Sequence, residues 1–240
     1  MKIIQSNLLK KFKNITHGYT TIKIGNLAYH VNDNPLCVNK NHKNLANEFL
    51  YDINSLIYMK QIHSNDVHII DDDCFDKPPT CDALVTNKKN TPLMVMVADC
   101  SPILFYDENK KVIAVAHAGR QGAFKNIVKN TIKTMENKFN CLSKDIYVCI
   151  GANIKKCCYE VGIEIYNEAK KLQMQYAINI VDNKYFLDID KILLNQLRDC
   201  GIKNQNIEVL KECTSCNSDK YFSYRVKRET GRFAGIIMLK

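Results

Sequence analysis

The sequence predicts an α+β fold with sheet at its core, and three observations carry that prediction. Short apolar runs, several ending in small or polar residues, crowd residues 55–117 as strands do. Stretches with apolar residues three and four apart lie between and around such runs. The regular strand-helix-strand alternation of a parallel sheet is missing.

Taken in order, Leu45, Phe49 and Leu50 stand at near-helical spacing and predict a short helix within 44–52. Strands follow at 56–58, 67–70 and 83–85. Residues 93–98 are almost wholly apolar and stop at Asp99-Cys100. Two further apolar arms, 103–106 and 112–116, flank Asp107-Glu108-Asn109-Lys110, which reads as a hairpin turn. A turn centred near Asn109 sets His117 roughly opposite Ser101. Beyond it, Phe124, Ile127, Val128, Ile132, Met135 and Phe139 share one helical face. Gly119 and Gly122 precede that helix as a flexible turn whose amides could face an anion. A strand at 146–150, helices at 164–172 and 191–197, and strands at 208–210 and 233–239 complete the chain.

With 240 residues, no Pro-, Gly- or Ser-rich linker and no internal repeat, a single domain over 1–240 is expected. No apolar run approaches a membrane span, and no signal-like core follows Met1-Lys2, so the expected location is the cytoplasm. Eleven cysteines in such a chain read as reduced thiols. Cys213-Thr214-Ser215-Cys216 has the spacing of a redox pair or of half a zinc site, but no second CxxC completes a zinc ribbon. Ordinary reduced cysteines at a site edge are therefore expected there, and equally for Cys157-Cys158. The net charge of +9 comes from scattered lysines, which argues against nucleic acid and favours anionic small molecules in a cleft. Arg225, Lys227, Arg228 and Arg232 form the exception, a local basic cluster.

His63, Cys100 and His117 are the candidate centre. The last two end apolar strand-like runs, and His63 follows another in Gln61-Ile62-His63. Two imidazoles and a thiolate fit zinc, which at catalytic sites commonly keeps three protein ligands and an open fourth position. Taken singly, each would read as a buried small thiol or a satisfied histidine.

Several segments together resemble the bacterial laccase-domain family, described variously as polyphenol oxidases, peptidoglycan editing factors and purine nucleoside phosphorylases. They are Asn26-Leu27 with His30-Val31 and Asp33, Gln61-Ile62-His63, Asp82-Ala83-Leu84-Val85-Thr86, Ala98-Asp99-Cys100-Ser101-Pro102 and Ala116-His117-Ala118-Gly119. Later come Ile150-Gly151, Cys158-Tyr159-Glu160-Val161-Gly162, Leu187-Asp188, Cys213-Thr214, Phe222-Ser223-Tyr224-Arg225 and Thr230-Gly231-Arg232, in the family's order over nearly the whole chain. The resemblance implies a central β-sandwich of mixed sheets flanked by helices, with zinc on His63, Cys100 and His117. It also implies phosphorolysis of adenosine, inosine, guanosine and methylthioadenosine, together with deamination of adenosine. The chain departs from the family at Arg120-Gln121, where a Trp-Arg pair is usual, at a shortened loop 22–25, and at Val226 in place of a second arginine.

Phosphorolysis needs an anion site, for which Arg225 and Arg232 offer guanidinium forks and Asn26 a further polar contact. Deamination needs a zinc-activated water and a proton shuttle, for which Asp99 is the nearest carboxylate, although the HxE and PCxxC pattern of nucleobase deaminases is absent. Copper can occupy the same three ligands. Phenol oxidation at a trinuclear centre is excluded, because the six histidines include no HxH pair. Two alternatives stay open: a cysteine amidase acting on cell-wall precursors through Cys100 and His117, and a non-enzymatic binding protein with structural zinc.

Overall fold

Successive side chains of a strand face opposite ways, so a strand apolar on both faces must be covered on both. That condition governs the computed structural model, which describes residues 1–71 and 77–240. Its first half runs β1 (Ile3–Ile4), β2 (Ile15–Thr20), α1 (Pro35–Phe49), β3 (Ile57–Tyr58), β4 (Val67–Ile69), β5 (Ala83–Thr86), β6 (Leu93–Val97), β7 (Ser101–Asp107) and β8 (Val112–Ala118). The second half runs α2 (Arg120–Phe124), α3 (Ile127–Phe139), β9 (Ile146–Ile150), β10 (Glu160–Val161), α4 (Ile163–Lys171), β11 (Ile178–Val181), β12 (Lys184–Leu187), α5 (Ile189–Asp199), β13 (Ile207–Val209) and β14 (Phe233–Leu239).

Two mixed sheets face each other. One has the order β1-β2-β14-β6-β3 and the other β13-β9-β7-β8-β5-β4, while β10-β12-β11 form a small third sheet. Between the large sheets, Leu104, Ile113, Val115 and Cys149 meet Leu93, Val95, Phe233 and Ile237. The alternate residues Val85, Ile103, Phe105 and Ala114 turn outward to Ile127, Val128 and Ile132 of α3 and Leu193 and Leu197 of α5. On the opposite outer face, Met94, Met96 and Ile236 pack on Leu45, Ala46 and Phe49 of α1. The α+β class and the helix-flanked sandwich are thus as expected.

Details differ for identifiable reasons. The helix placed within 44–52 begins at Pro35, where Asn34 caps it by accepting from the Leu36 amide at 2.9 Å. Its stripe includes Val38 and the buried His42, which lengthen the apolar face of an otherwise Asn- and Lys-rich stretch. The helix expected over 124–139 is two helices, because Asn126 takes a left-handed conformation between α2 and α3. In the hairpin His117 pairs with Pro102 rather than Ser101, since the loop 108–111 is centred between Asn109 and Lys110. Strands β1, β2 and β10 to β12 were not foreseen; β2 reads Ile-Thr-His-Gly-Tyr-Thr and has too few apolar residues to announce a strand.

Candidate metal centre and its cavity

β6 ends at Val97 in one large sheet and β7 begins at Ser101 in the other, so residues 98–100 carry the chain across the sandwich and expose Cys100 at its rim. The β7-β8 pairing sets His117 beside that crossing. His63 arrives from the edge of the other sheet, on a loop fastened by Gln61. The Gln61 side chain donates to the Met96 carbonyl at 2.7 Å and accepts from the Met96 amide at 2.9 Å, continuing the β6 edge with a side-chain amide. The donor atoms of His63, Cys100 and His117 all lie within 4.8 Å of one another. The three residues singled out in the sequence therefore lie together in the fold.

A fourth residue organises them. Asp82 is buried at the start of β5, and its carboxylate accepts from the amides of Ile62 at 3.2 Å, His63 at 3.0 Å and Ser64 at 2.7 Å. Such converging amides form an anion nest, and here they hold His63 in a left-handed conformation with φ 58°. The same carboxylate accepts from Nδ1 of His117 at 2.7 Å, which fixes the tautomer and leaves the Nε2 lone pair free to bind a metal. Asp82 stood in a recognised segment with no role attached. Its visible signal was an Asp just before a buried strand, a pattern too common to single out.

Electrostatics favour a thiolate at Cys100. Burial opposes that charge, but His117 and His63 outweigh it and bring the thiol down to about 6. Burial likewise opposes a charged His117, and the Cys100 thiolate and Asp82 outweigh it, raising the imidazole to about 9. Burial would raise Asp82, but hydrogen bonds from His117 and Ser64 hold it at about 2. The donor set thus fits a borderline-soft metal ion: a thiolate-disposed sulfur, an oriented imidazole and a second, exposed imidazole whose Nε2 lies 3.9 Å from the sulfur. Gly119 leaves the space they need, since a Cβ there would lie 2.8 Å from Cys100 Sγ and 3.0 Å from His63 Cδ2. Its φ of −78° is open to any residue, so the glycine serves close approach rather than the flexible turn read from the sequence.

Cys100 opens onto a cavity of about 400 Å³ that is also lined by Asp99, Gly119, Arg120, Tyr159, Tyr224, Arg225 and Arg228. Arg225 sits over the Tyr159 ring, 5.5 Å from its centroid, and donates to the Glu160 carbonyl at 3.0 Å. Arg120, where the family usually has tryptophan, opens α2 and pairs with Glu168 of α4 at 2.5 Å, while Gln121 is exposed. The arginine displaced by one position therefore still faces the cavity.

Other expected contacts fall differently. Asp99 borders the cavity, but one of its oxygens accepts from Thr214 Oγ1 at 2.6 Å and the other from the Arg225 amide at 2.7 Å, so it fastens the Arg225 segment. Arg232 is half-buried, donates to the Thr230 and Gly231 carbonyls, and lines a neighbouring hollow with His30 and Asp33. Asn26 stands behind it, away from the cavity. Its amide is spent on Ala28, Asp33 and the Arg232 amide, so a place among the anion contacts gives way to a supporting one.

The chain resembles known proteins over nearly its whole length. A purine nucleoside phosphorylase of Clostridium acetobutylicum is 36% identical over 204 residues, covering 84% of each chain. The crystal structure of YlmD from Geobacillus stearothermophilus superposes with a TM-score of 0.89 at 26% identity, over 95% of this chain and 93% of that one. YfiH of Bacillus licheniformis gives 0.87 at 29% identity, over 94% and 93%. The profile described as multi-copper polyphenol oxidoreductase laccase matches residues 14–240, and the chain belongs to that family.

Proposed function

We propose that this chain is a purine nucleoside phosphorylase with a zinc centre on His63, Cys100 and His117. Its substrates would be adenosine, inosine, guanosine and methylthioadenosine with phosphate, its products free base and sugar 1-phosphate, and adenosine deamination a second activity of the same site. One observation carries the reading: a three-ligand set opens through Cys100 onto a cavity of nucleoside size bordered by Arg120, Arg225 and Arg228. The naming of relatives such as that of Clostridium acetobutylicum as purine nucleoside phosphorylases supports it. The chain would act as one domain in the cytoplasm.

In this reaction a phosphate oxygen bonds to C1′ of the ribose while the bond from C1′ to the base breaks. The electron pair leaves with the base, which takes up a proton. Arg225 and Arg228 would hold the phosphate, with Arg120 also on the cavity wall, because guanidinium forks match its oxygens and keep their charge. Tyr159 and Tyr224 offer aromatic faces for the base. Bound zinc would supply a Lewis acid beside the reacting sugar or base; copper fits the same donors. Asp82 would keep His117 correctly turned, with Nε2 toward the ion, and Asp99 would hold Arg225 in place and stand nearest for proton transfer.

A second reading has one observation behind it. Cys100, His117 and Asp82 also form the thiol-imidazole-carboxylate series of a cysteine hydrolase. Metal separates the two, since a sulfur bonded to zinc is not free to attack a carbonyl. The experiment is metal analysis of the purified protein beside chromatography of adenosine or inosine incubated with phosphate. Phosphate-dependent base release, lost in His63→Ala, Cys100→Ala and His117→Ala, is expected. Unchanged release in those variants would remove the site, and none from folded, zinc-loaded protein would favour the hydrolase.

A further inference from the structure

We infer that Cys157, Cys158, Cys213 and Cys216 form a second metal site, a closed tetrathiolate centre that takes one zinc ion. Parallel strands β9 and β13 are neighbours, with Val148 opposite Ile207 and Ile150 opposite Val209, so both chains leave the sheet side by side. Their extensions stay together through the Asn153-Cys213 bridge and the Thr214 amide, which donates to the Asn153 carbonyl at 3.0 Å. Cys213 and Cys216 follow on one side. On the other, a turn closed by the Cys158 and Tyr159 amides onto the Lys155 carbonyl presents the vicinal pair Cys157-Cys158. The partner that the lone CxxC lacked in sequence is therefore a CC pair.

The four sulfurs all lie within 4.8 Å of one another. Cys216 Sγ is 3.3 Å from that of Cys158 and 3.6 Å from that of Cys157. Zinc-sulfur bonds of about 2.3 Å in a tetrahedron require sulfurs about 3.8 Å apart, so the cluster needs only small adjustments around a common ion. The Lys155 amide already donates to Cys213 Sγ at 3.4 Å, a contact that supports a thiolate. Redox use fits less well: a disulfide would pair two sulfurs at about 2.05 Å and leave two others beside it, and the CxxC opens a series of turns instead of a helix. On binding, each thiol gives its proton to solvent and its sulfur to the metal, leaving no position for a substrate. The role is a clip. It would tie the segment carrying Tyr159 and Glu160 to the loop carrying Thr214, and through Asp99 to Arg225.

This inference stands whether or not the chain is a phosphorylase. The test is zinc stoichiometry and thiol protection of the full-length protein purified under reducing conditions. Wild type should carry two zinc ions per chain, and His63→Ala/His117→Ala and Cys157→Ser/Cys216→Ser should each carry one. Because a cysteine variant can misfold, the wild type is also alkylated with iodoacetamide. Cys37, Cys157 and Cys216 are all exposed, yet only Cys37 should react until a chelator is added. Alkylation of Cys157 and Cys216 at the rate of Cys37 would overturn the site. So would a single zinc lost with the histidines, iron in place of the second zinc, or a disulfide among the four.

Discussion

The two sulfur-bearing clusters are built alike and end differently. Each gathers its donors from strand ends brought together by pairing: β7, β8 and the β3 loop for His63, Cys100 and His117, and the exits of β9 and β13 for the four cysteines. The first offers three donors with a buried carboxylate behind and a cavity in front. The second offers four sulfurs, none of which lines that cavity. Ligand number and what lies beside it, more than residue type, separate a centre able to do chemistry from one able only to hold chain segments together.

If that difference is real, mutations should divide along it. Cys100→Ala should cost base release about a thousandfold or more, the several kcal/mol a catalytic metal supplies, with little change in melting temperature. Cys213→Ser should do the reverse, lowering the melting temperature by several degrees while the folded fraction keeps most of its turnover. Calorimetry beside steady-state assays reads both. Equal losses of turnover in the two variants would mean that the clusters are one functional unit.

Asp82→Asn sharpens the first half of the comparison. It keeps the volume but removes the charge on which three amides and His117 converge, and outer-shell changes of this kind cost about 10- to 100-fold in metal affinity. Chelator competition should show one zinc weakened by that factor and the other unchanged. An unweakened first site would make Asp82 a brace for the loop alone. A smaller effect is expected from Gly119→Ala, which the backbone accepts but whose methyl presses on Cys100 and His63. Both contacts are side-chain atoms that can yield, so the low end of the overpacking range, about 1 kcal/mol, applies, and metal binding at that site only should weaken about fivefold.

Much of this was legible in the sequence, and the gaps have physical causes. Strand-end logic found Cys100 and His117, because long apolar runs fix where a strand stops and hairpin counting fixes what lies opposite, here to within one residue. His63 was found on weaker grounds: it sits in a left-handed loop held by Asp82, not at the end of a regular strand. Asn26 is spent on neighbouring loops, and in one dimension such a side chain looks the same as one aimed at a ligand. The cysteine cluster escaped for a related reason. Its halves are 55 or more residues apart in sequence, and only the parallel neighbourhood of β9 and β13, which periodicity cannot supply, brings them together.

Acid threatens both clusters, because protons compete with metal for thiolates and imidazoles. A third group acts in the same range without any metal. His17 on β2 is buried and accepts a hydrogen bond from the Ser6 amide at 3.1 Å; burial pushes its imidazole down to about 4, against an unfolded value near 6.5. Between those values the unfolded chain binds the extra proton, so stability falls as pH drops from about 6.5 to about 4, by roughly 3 kcal/mol at most. His17→Gln keeps an acceptor for Ser6 and should flatten this limb in chelator-treated protein. In metal-loaded protein the variant should retain a second limb, which shifts with free zinc concentration as linkage requires. Denaturant unfolding across pH, with and without chelator, separates the two. Coincident profiles for variant and wild type would assign the whole acid response to the metal clusters and remove His17 from it.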